Sequence, residues 1–164
     1  LAVNVGAPIC LTKRLLPMLK QANSAMVVNV GSTYGSIGYP GYASYCATKF
    51  ALRGFSEALR RELADTRVSV LYVAPRATRT SMNSAAAQAL NDALKASVDD
   101  PQAVASAVAH AIAGERRDVY LGWPERFFVR LNSLLPNLVD RGLRKQLPLI
   151  RRLSEKPGNE PPKP

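Results

Sequence analysis

The sequence predicts an α/β fold: a doubly wound parallel sheet followed by a basic helical extension. Two short β-branched apolar runs, "AMVVNVGS" at 25–32 and "RVSVLYVAP" at 67–75, alternate with longer stretches of helical apolar spacing. Such runs suit strands buried on both faces. Each run closes on a residue that ends a strand, Gly-Ser in one case and proline in the other. The intervals are long enough for helical crossovers, which are right-handed and leave parallel strands covered on both faces.

The elements follow in order. Residues 4–22 place Val5, Ile9, Leu15, Leu16 and Leu19 at helical spacing, with Pro8 near the start. After the first strand, a Gly/Tyr/Pro loop covers 33–42. Residues 43–64 read as a long helix. Ala47, Phe50, Ala51, Gly54, Phe55, Ala58 and Leu59 fall on one side, and Arg53, Glu57, Arg60 and Arg61 supply its polar positions. Small and polar residues at 76–88 read as a mobile loop leading into a helix. "DDPQAVASAVAHAIAG" then carries helix punctuation: Asp100 as cap, Pro101 in the first turn and Gly114 past the end. "DVYLG" at 118–122 is a third strand. Beyond Trp123 apolar and basic residues alternate at helical spacing, with interruptions expected at Pro136 and Pro148. The proline-rich end, 154–164, reads as disordered.

Composition narrows the chemistry. The 164 residues suffice for one domain with a real core. No run of apolar residues is long enough to span a bilayer, and no signal-peptide pattern opens the chain. The expectation is a cytoplasmic protein. The opening "LAVNVGAPICLTKRLLPML" starts within an apolar pattern, as a chain entered partway through a fold does. Cys10 and Cys46 make neither a metal cluster nor a disulfide framework. His110, the single histidine, lies in a helical pattern, so a histidine-based triad or metal site is not expected. The net charge is +10, and residues 123–164 hold 9 Lys/Arg against 4 Asp/Glu. Nucleic-acid binding does not follow, because the cations are interleaved with Leu, Val and Phe and no recognition motif is present.

One pair of residues carries chemistry. Of the six tyrosines, Tyr45 alone has a lysine four residues later, Lys49. On a helix these share a face one turn apart. A tyrosine hydroxyl, ordinarily near pKa ~10, is a poor proton donor and acceptor at neutral pH, and a nearby ammonium lowers that value. Ser32 lies at the carboxyl end of the first strand, where ligands bind in open α/β sheets.

Asn4, Ser32, Tyr45 and Lys49, in that order and spacing, resemble the short-chain dehydrogenase/reductase family. The matching text is "VNVGAPICLTKRLLPML", "VVNVGS", "YCATKFALRGFSEALRREL" and "VLYVAPRATRTSM", and the resemblance covers roughly residues 1–122. It implies the C-terminal part of a Rossmann-type catalytic domain there, a basic amphipathic extension at 123–153, and an NAD(P)(H)-dependent interconversion of alcohol and carbonyl. Tyr45 is implied as general acid and base. Lys49 would bind the nicotinamide ribose and depress the Tyr45 pKa, Ser32 would hydrogen-bond the substrate oxygen, and Asn4 would hold a water of a proton relay. Pro75, Arg76, Thr78 and Thr80 are implied cofactor contacts. Arg76 stands where the family usually has glycine; it could reach a substrate carboxylate or a cofactor phosphate, or point to solvent, and solvent is favoured. Tyr39, Pro40, Tyr42 and Met82 are substrate-pocket candidates by location. A homo-oligomer assembled through helices 4–22 and 43–64 is implied as well.

The family's T-G-x-x-x-G-x-G turn and its N-N-A-G stretch are not in this sequence. These glycines admit the cofactor pyrophosphate to a helix N-terminus. NADP is favoured over NAD, but no residue of this chain makes that choice. The first strand is expected to show a free edge. The alternative reading is a catalytically inactive, truncated or pseudoenzyme module. For residues 124–153 two roles stand side by side: a lid over the substrate cleft, or peripheral contact with a membrane surface through Phe127, Phe128, Leu131, Leu134 and Leu135 flanked by Arg126 and Arg130.

Overall fold

The computed structural model describes residues 1–81, 83 and 85–154. A π-helical turn, Ala2–Gly6, runs directly into α1, Ala7–Gln21. Strand β1 (Ala25–Val30), helix α2 (Ala43–Glu62) and strand β2 (Val68–Ala74) follow. Then come α3 (Ala85–Ala93), α4 (Pro101–Ala113), β3 (Asp118–Tyr120), α5 (Glu125–Leu134) and α6 (Pro136–Ser154). The tail 155–164, expected to be disordered, lies outside the described residues.

The three strands form one parallel sheet in the order β1-β2-β3. Strand periodicity divides the core into two layers. Val68 and Val70 on one face meet Leu59 and Leu63 of α2, with Leu16 and Leu19 of α1 alongside. Leu71 and Val73 on the other face meet Ala111 and Val108 of α4. Helices therefore cover both sides of β2, and Leu71, Tyr72, Val73 and Ala74 have no exposed surface. Burying a Val or Leu side chain in this way contributes roughly 1.5–3 kcal/mol.

The expectation that β1 is buried on both faces is corrected: most of it is half-buried and Val30 is 52% exposed. The physical reason is its position, since among the described residues β1 pairs only with β2. Beside it, α1 and β1 border a groove of about 670 Å³ lined by Leu11, Val28, Val30, Asn4 and Lys49.

On α2, burial does not follow the apolar side that the spacing suggests. Ala47, Phe50, Ala51, Gly54 and Ala58 are exposed, while Cys46, Thr48, Leu52, Ser56 and Leu59 are buried. Small hydroxyls can go inward because each finds a partner. Ser56 Oγ donates to the Leu52 carbonyl (2.7 Å) and accepts from Asn29 Nδ2 (2.9 Å). Thr48 Oγ1 donates to the Tyr45 carbonyl (2.8 Å) and accepts from Asn4 Nδ2 (3.4 Å).

Helix punctuation behaves as the sequence predicts at α4, where the Asp100 carboxylate accepts from the Gln102 amide (2.9 Å). Pro136 separates α5 from α6, but Pro148 does not interrupt α6. Pro148 is exposed, so the carbonyl left without a donor one turn back can be hydrated.

Candidate active site

The site is built where β1 and β2 end. The backbone leaves β1 at Val30 and turns through Gly31 and Ser32 into a short 3₁₀ turn, Thr33–Gly35. The chain leaving β2 lies against it: the Pro75 carbonyl accepts from the Thr33 amide (3.0 Å) and from Thr33 Oγ1 (3.3 Å). Beneath the turn sits Tyr72, fully buried in the central strand, whose hydroxyl donates to the Ser32 carbonyl (3.3 Å) and accepts from the Ser32 amide (3.4 Å). A Cβ at Gly31 would fall inside the Tyr72 ring, so only glycine lets the turn close over it. Tyr72 went unassigned in the sequence. Its signal was a lone tyrosine within an apolar strand, since a buried tyrosine hydroxyl requires a partner.

Ser32 is thereby fixed at the carboxyl end of β1, with its hydroxyl accepting from the Tyr34 amide (3.2 Å). Tyr45 rises from the first turn of α2 and is 37% exposed. Burial pushes its hydroxyl above the ordinary tyrosine value, and hydrogen bonding from Ser32 partly offsets the rise. The structure thus brings Ser32 and Tyr45 together. Lys49, one turn on, donates to the Val30 carbonyl (3.2 Å), and its ammonium sits 5.7 Å from the centroid of the Tyr45 ring. Burial lowers the Lys49 pKa.

That geometry corrects one expectation. The Tyr45 pKa is raised rather than depressed, because burial disfavours the phenolate, while the Lys49 ammonium sits over the ring and donates to the β1 carbonyl. Asn4 reaches the same neighbourhood through Thr48 and shares the β1 groove with Lys49.

Arg76 is also corrected. Expected to face solvent, its side chain is only 17% exposed, and its guanidinium is engaged with Asp99 (2.7 Å) and Glu125 (3.0 Å). The Asp99 hydrogen bond raises the Arg76 pKa, with burial opposing it. The neighbouring Gly122, at φ +90°, admits the side chain, because a Cβ there would meet both the Arg76 stem and the Glu125 carboxylate. Neither acidic partner was singled out in the sequence, and no local pattern links residues 23 and 49 positions away. Thr78 Oγ1 donates to the Arg76 carbonyl (3.2 Å), whereas Thr80 is exposed. Met82 lies outside the described residues.

Four tyrosines form an aromatic wall around Tyr34. Tyr34 stacks on Tyr39 with ring centroids 5.0 Å apart and packs at 5.4 Å from Tyr42, which meets Tyr45 at 6.5 Å. Pro40 is half-buried among them. Burial pushes up the hydroxyls of Tyr34, Tyr39 and Tyr42. The C-terminal helices close on this wall: the Tyr39 hydroxyl donates to Gln146 Oε1 of α6 (2.8 Å), and Asn132 Nδ2 of α5 donates to the Ser36 carbonyl (3.0 Å).

The donor set suits one end of a dinucleotide. Lys49 has three N–H donors, of which one is spent on Val30, leaving two for vicinal hydroxyls. No glycine-rich pyrophosphate turn is present in the sequence, so the residues in hand fit the nicotinamide ribose alone. Among the described residues no cluster could hold a metal ion.

A parallel α/β sheet carries Ser32 just beyond the carboxyl end of β1, with Tyr45 and Lys49 beside it on α2. Residues 1–91 match the family model described as short chain dehydrogenase. The chain belongs to that family. It is 32% identical over 138 residues to an uncharacterized oxidoreductase, YxnA, of Bacillus subtilis, covering 81% of this chain and 38% of that protein. It is 36% identical over 83 residues to the NADP-dependent 3-hydroxy acid dehydrogenase of Schizosaccharomyces pombe, covering 51% of this chain and 32% of that one. Among solved structures, a short chain dehydrogenase from Burkholderia cenocepacia in complex with NADP aligns at TM-score 0.71 and 26% identity, covering 86% of this chain and 56% of that one. The chain spans 32–38% of the length of these two curated relatives.

Proposed function

We propose that the protein is an NAD(P)(H)-dependent oxidoreductase interconverting an alcohol and a carbonyl, with Tyr45 as general acid and base. The observation that carries this is the convergence of Ser32 and Tyr45 at the carboxyl ends of β1 and β2, with Lys49 one turn behind. In reduction Tyr45 gives its hydroxyl proton to the substrate oxygen, while Ser32 donates a hydrogen bond to the same oxygen and fixes its position. In oxidation the proton returns. Lys49 holds the ribose hydroxyls of the cofactor, and Asn4 supports the lysine side of the site. The nicotinamide, when bound, supplies or accepts the hydride.

NADP is favoured as cofactor. The relatives bearing on this are the NADP-dependent dehydrogenase and the NADP complex named above. The tyrosine wall of Tyr39 and Tyr42, capped by Gln146, supports an uncharged substrate that stacks or packs against rings. The exposed small-residue face of α2, Ala47, Ala51, Gly54 and Ala58, supports assembly with a second copy through that helix. The test is to incubate the intact protein with NADPH or NADH and a panel of ketones and aldehydes, following cofactor oxidation and identifying the alcohol formed. Stoichiometric alcohol supports the reading, and no turnover with any carbonyl or alcohol under either cofactor rejects it.

A further inference from the structure

Helix α5 is apolar on two opposite sides. Val129 points into the fold and is buried. Half a turn round, Phe127 and Leu134 point outward, seven residues apart and so on one face, and Leu134 is 79% exposed. Just before the helix Trp123, 73% exposed, packs its ring 6.0 Å from that of Phe127, which in turn lies 5.7 Å from Phe128. A helix with apolar residues all round needs cover on both sides, and among the described residues only one side is covered.

The charges beside this face select what covers it. Arg126 and Arg130 flank Phe127 on the exposed side, and neither has a carboxylate partner among the described residues. On the adjoining α6, Arg141, Arg144 and Lys145 are exposed and likewise unpaired. A protein partner would have to match an aromatic ridge inside a cationic frame. A second copy of this chain presents the same positive charge and repels.

We propose that the outer face of α5, with Trp123 and Phe127 as its wedge and Arg126 and Arg130 as its anchors, docks on an anionic lipid bilayer surface. The rings seat at the headgroup level while the guanidinium groups meet lipid phosphate, an arrangement that binds along the membrane plane without crossing it. The inner side of the same helical pair holds Tyr39 and Ser36, so docking would bring the tyrosine wall next to the interface. The docking makes no use of the proposed reaction, and it is read without assaying it.

Trp123 is the single tryptophan of the sequence and reports directly. The intact protein is mixed at low salt with vesicles of phosphatidylcholine alone or of phosphatidylcholine with phosphatidylglycerol, and both sedimentation and Trp123 emission are followed. The expected result is co-sedimentation and a blue shift with the anionic vesicles only, reversed by high salt, with quenching by brominated acyl chains. Arg126→Gln with Arg130→Gln should weaken binding by about tenfold or more, and Phe127→Ser should abolish the shift, both with unchanged circular dichroism. Absence of sedimentation at low salt overturns the proposal. So does binding that these substitutions leave intact. Self-association without lipid that Phe127→Ser abolishes also overturns it, and assigns the face to a second copy.

Discussion

Arg76 and Asp99 meet at 2.7 Å and close the neck of a segment that leaves the sheet at Pro75 and returns to α4. The pairing is reinforced by backbone. The Asp99 amide donates to the Ala77 carbonyl (2.8 Å), and the Arg79 amide donates to the Asp99 carbonyl (2.9 Å). Through Glu125 the same guanidinium reaches the first turn of α5. One side chain thus ties together the loop beyond β2, the root of α4 and the start of the C-terminal helices.

Substituting Arg76 by glycine, the usual residue of the family at this position, should therefore loosen what it ties. Loss of a mostly buried charge from two carboxylates is expected to cost about 2 kcal/mol. Hydrogen exchange should accelerate in 77–98 and in α5 while β2 and α2 keep their protection. Uniform protection in the variant would show that the neck is held by its backbone alone.

Gly31 tests the support beneath Ser32. Alanine there collides with the ring and hydroxyl of Tyr72 and should cost about 3 kcal/mol. Because ring carbons collide as well as the oxygen, Tyr72→Phe should give no relief, while Tyr72→Ala in the same chain should make the two losses less than additive. Denaturant midpoints of the single and double variants decide it, and strict additivity counts against the contact.

Alkaline stability should depend on Tyr72. Burial lifts its hydroxyl from 10.0 to about 12, so the folded chain keeps a proton that the unfolded chain releases. The stabilisation is complete below pH 10 and is lost as pH rises from about 10 towards about 12, with a full value of about 2 to 3 kcal/mol. Urea midpoints at neutral pH and above pH 10, taken for the wild type and for Tyr72→Phe, should fall more steeply in the wild type. Parallel slopes would place the alkaline loss on other groups, such as Tyr34.

Much of the fold could be read from short patterns, because the forces behind them are local. The strands followed from apolar runs, and the α4 boundaries from Asp100, Pro101 and Gly114. The pair Tyr45 and Lys49 was legible as one helix turn. The burial of α2 was not legible because hydrophobicity ranks Phe50 above Ser56, while the fold buries Ser56 and satisfies it with Asn29, 27 residues away. Arg76 was misread for the same reason. A lone arginine in a loop reads as solvated until Asp99 and Glu125 arrive from distant parts of the chain. Tyr72 was overlooked since a tyrosine within a strand looks like packing until its hydroxyl is traced to Ser32.

The central claim rests on a proton at Tyr45, and single-turnover reduction of a carbonyl by the intact protein with bound NADPH, wild type against Tyr45→Phe, tests it most directly. Ser32 meets the Tyr45 hydroxyl but is held independently by the Tyr34 amide and by Tyr72, and Lys49 is held by the Val30 carbonyl. The variant should therefore fold and bind cofactor within a few-fold of the wild type, while hydride transfer falls by roughly 10² to 10⁴. Hydride transfer that survives in Tyr45→Phe at the wild-type rate would contradict the account and move the proton donor elsewhere.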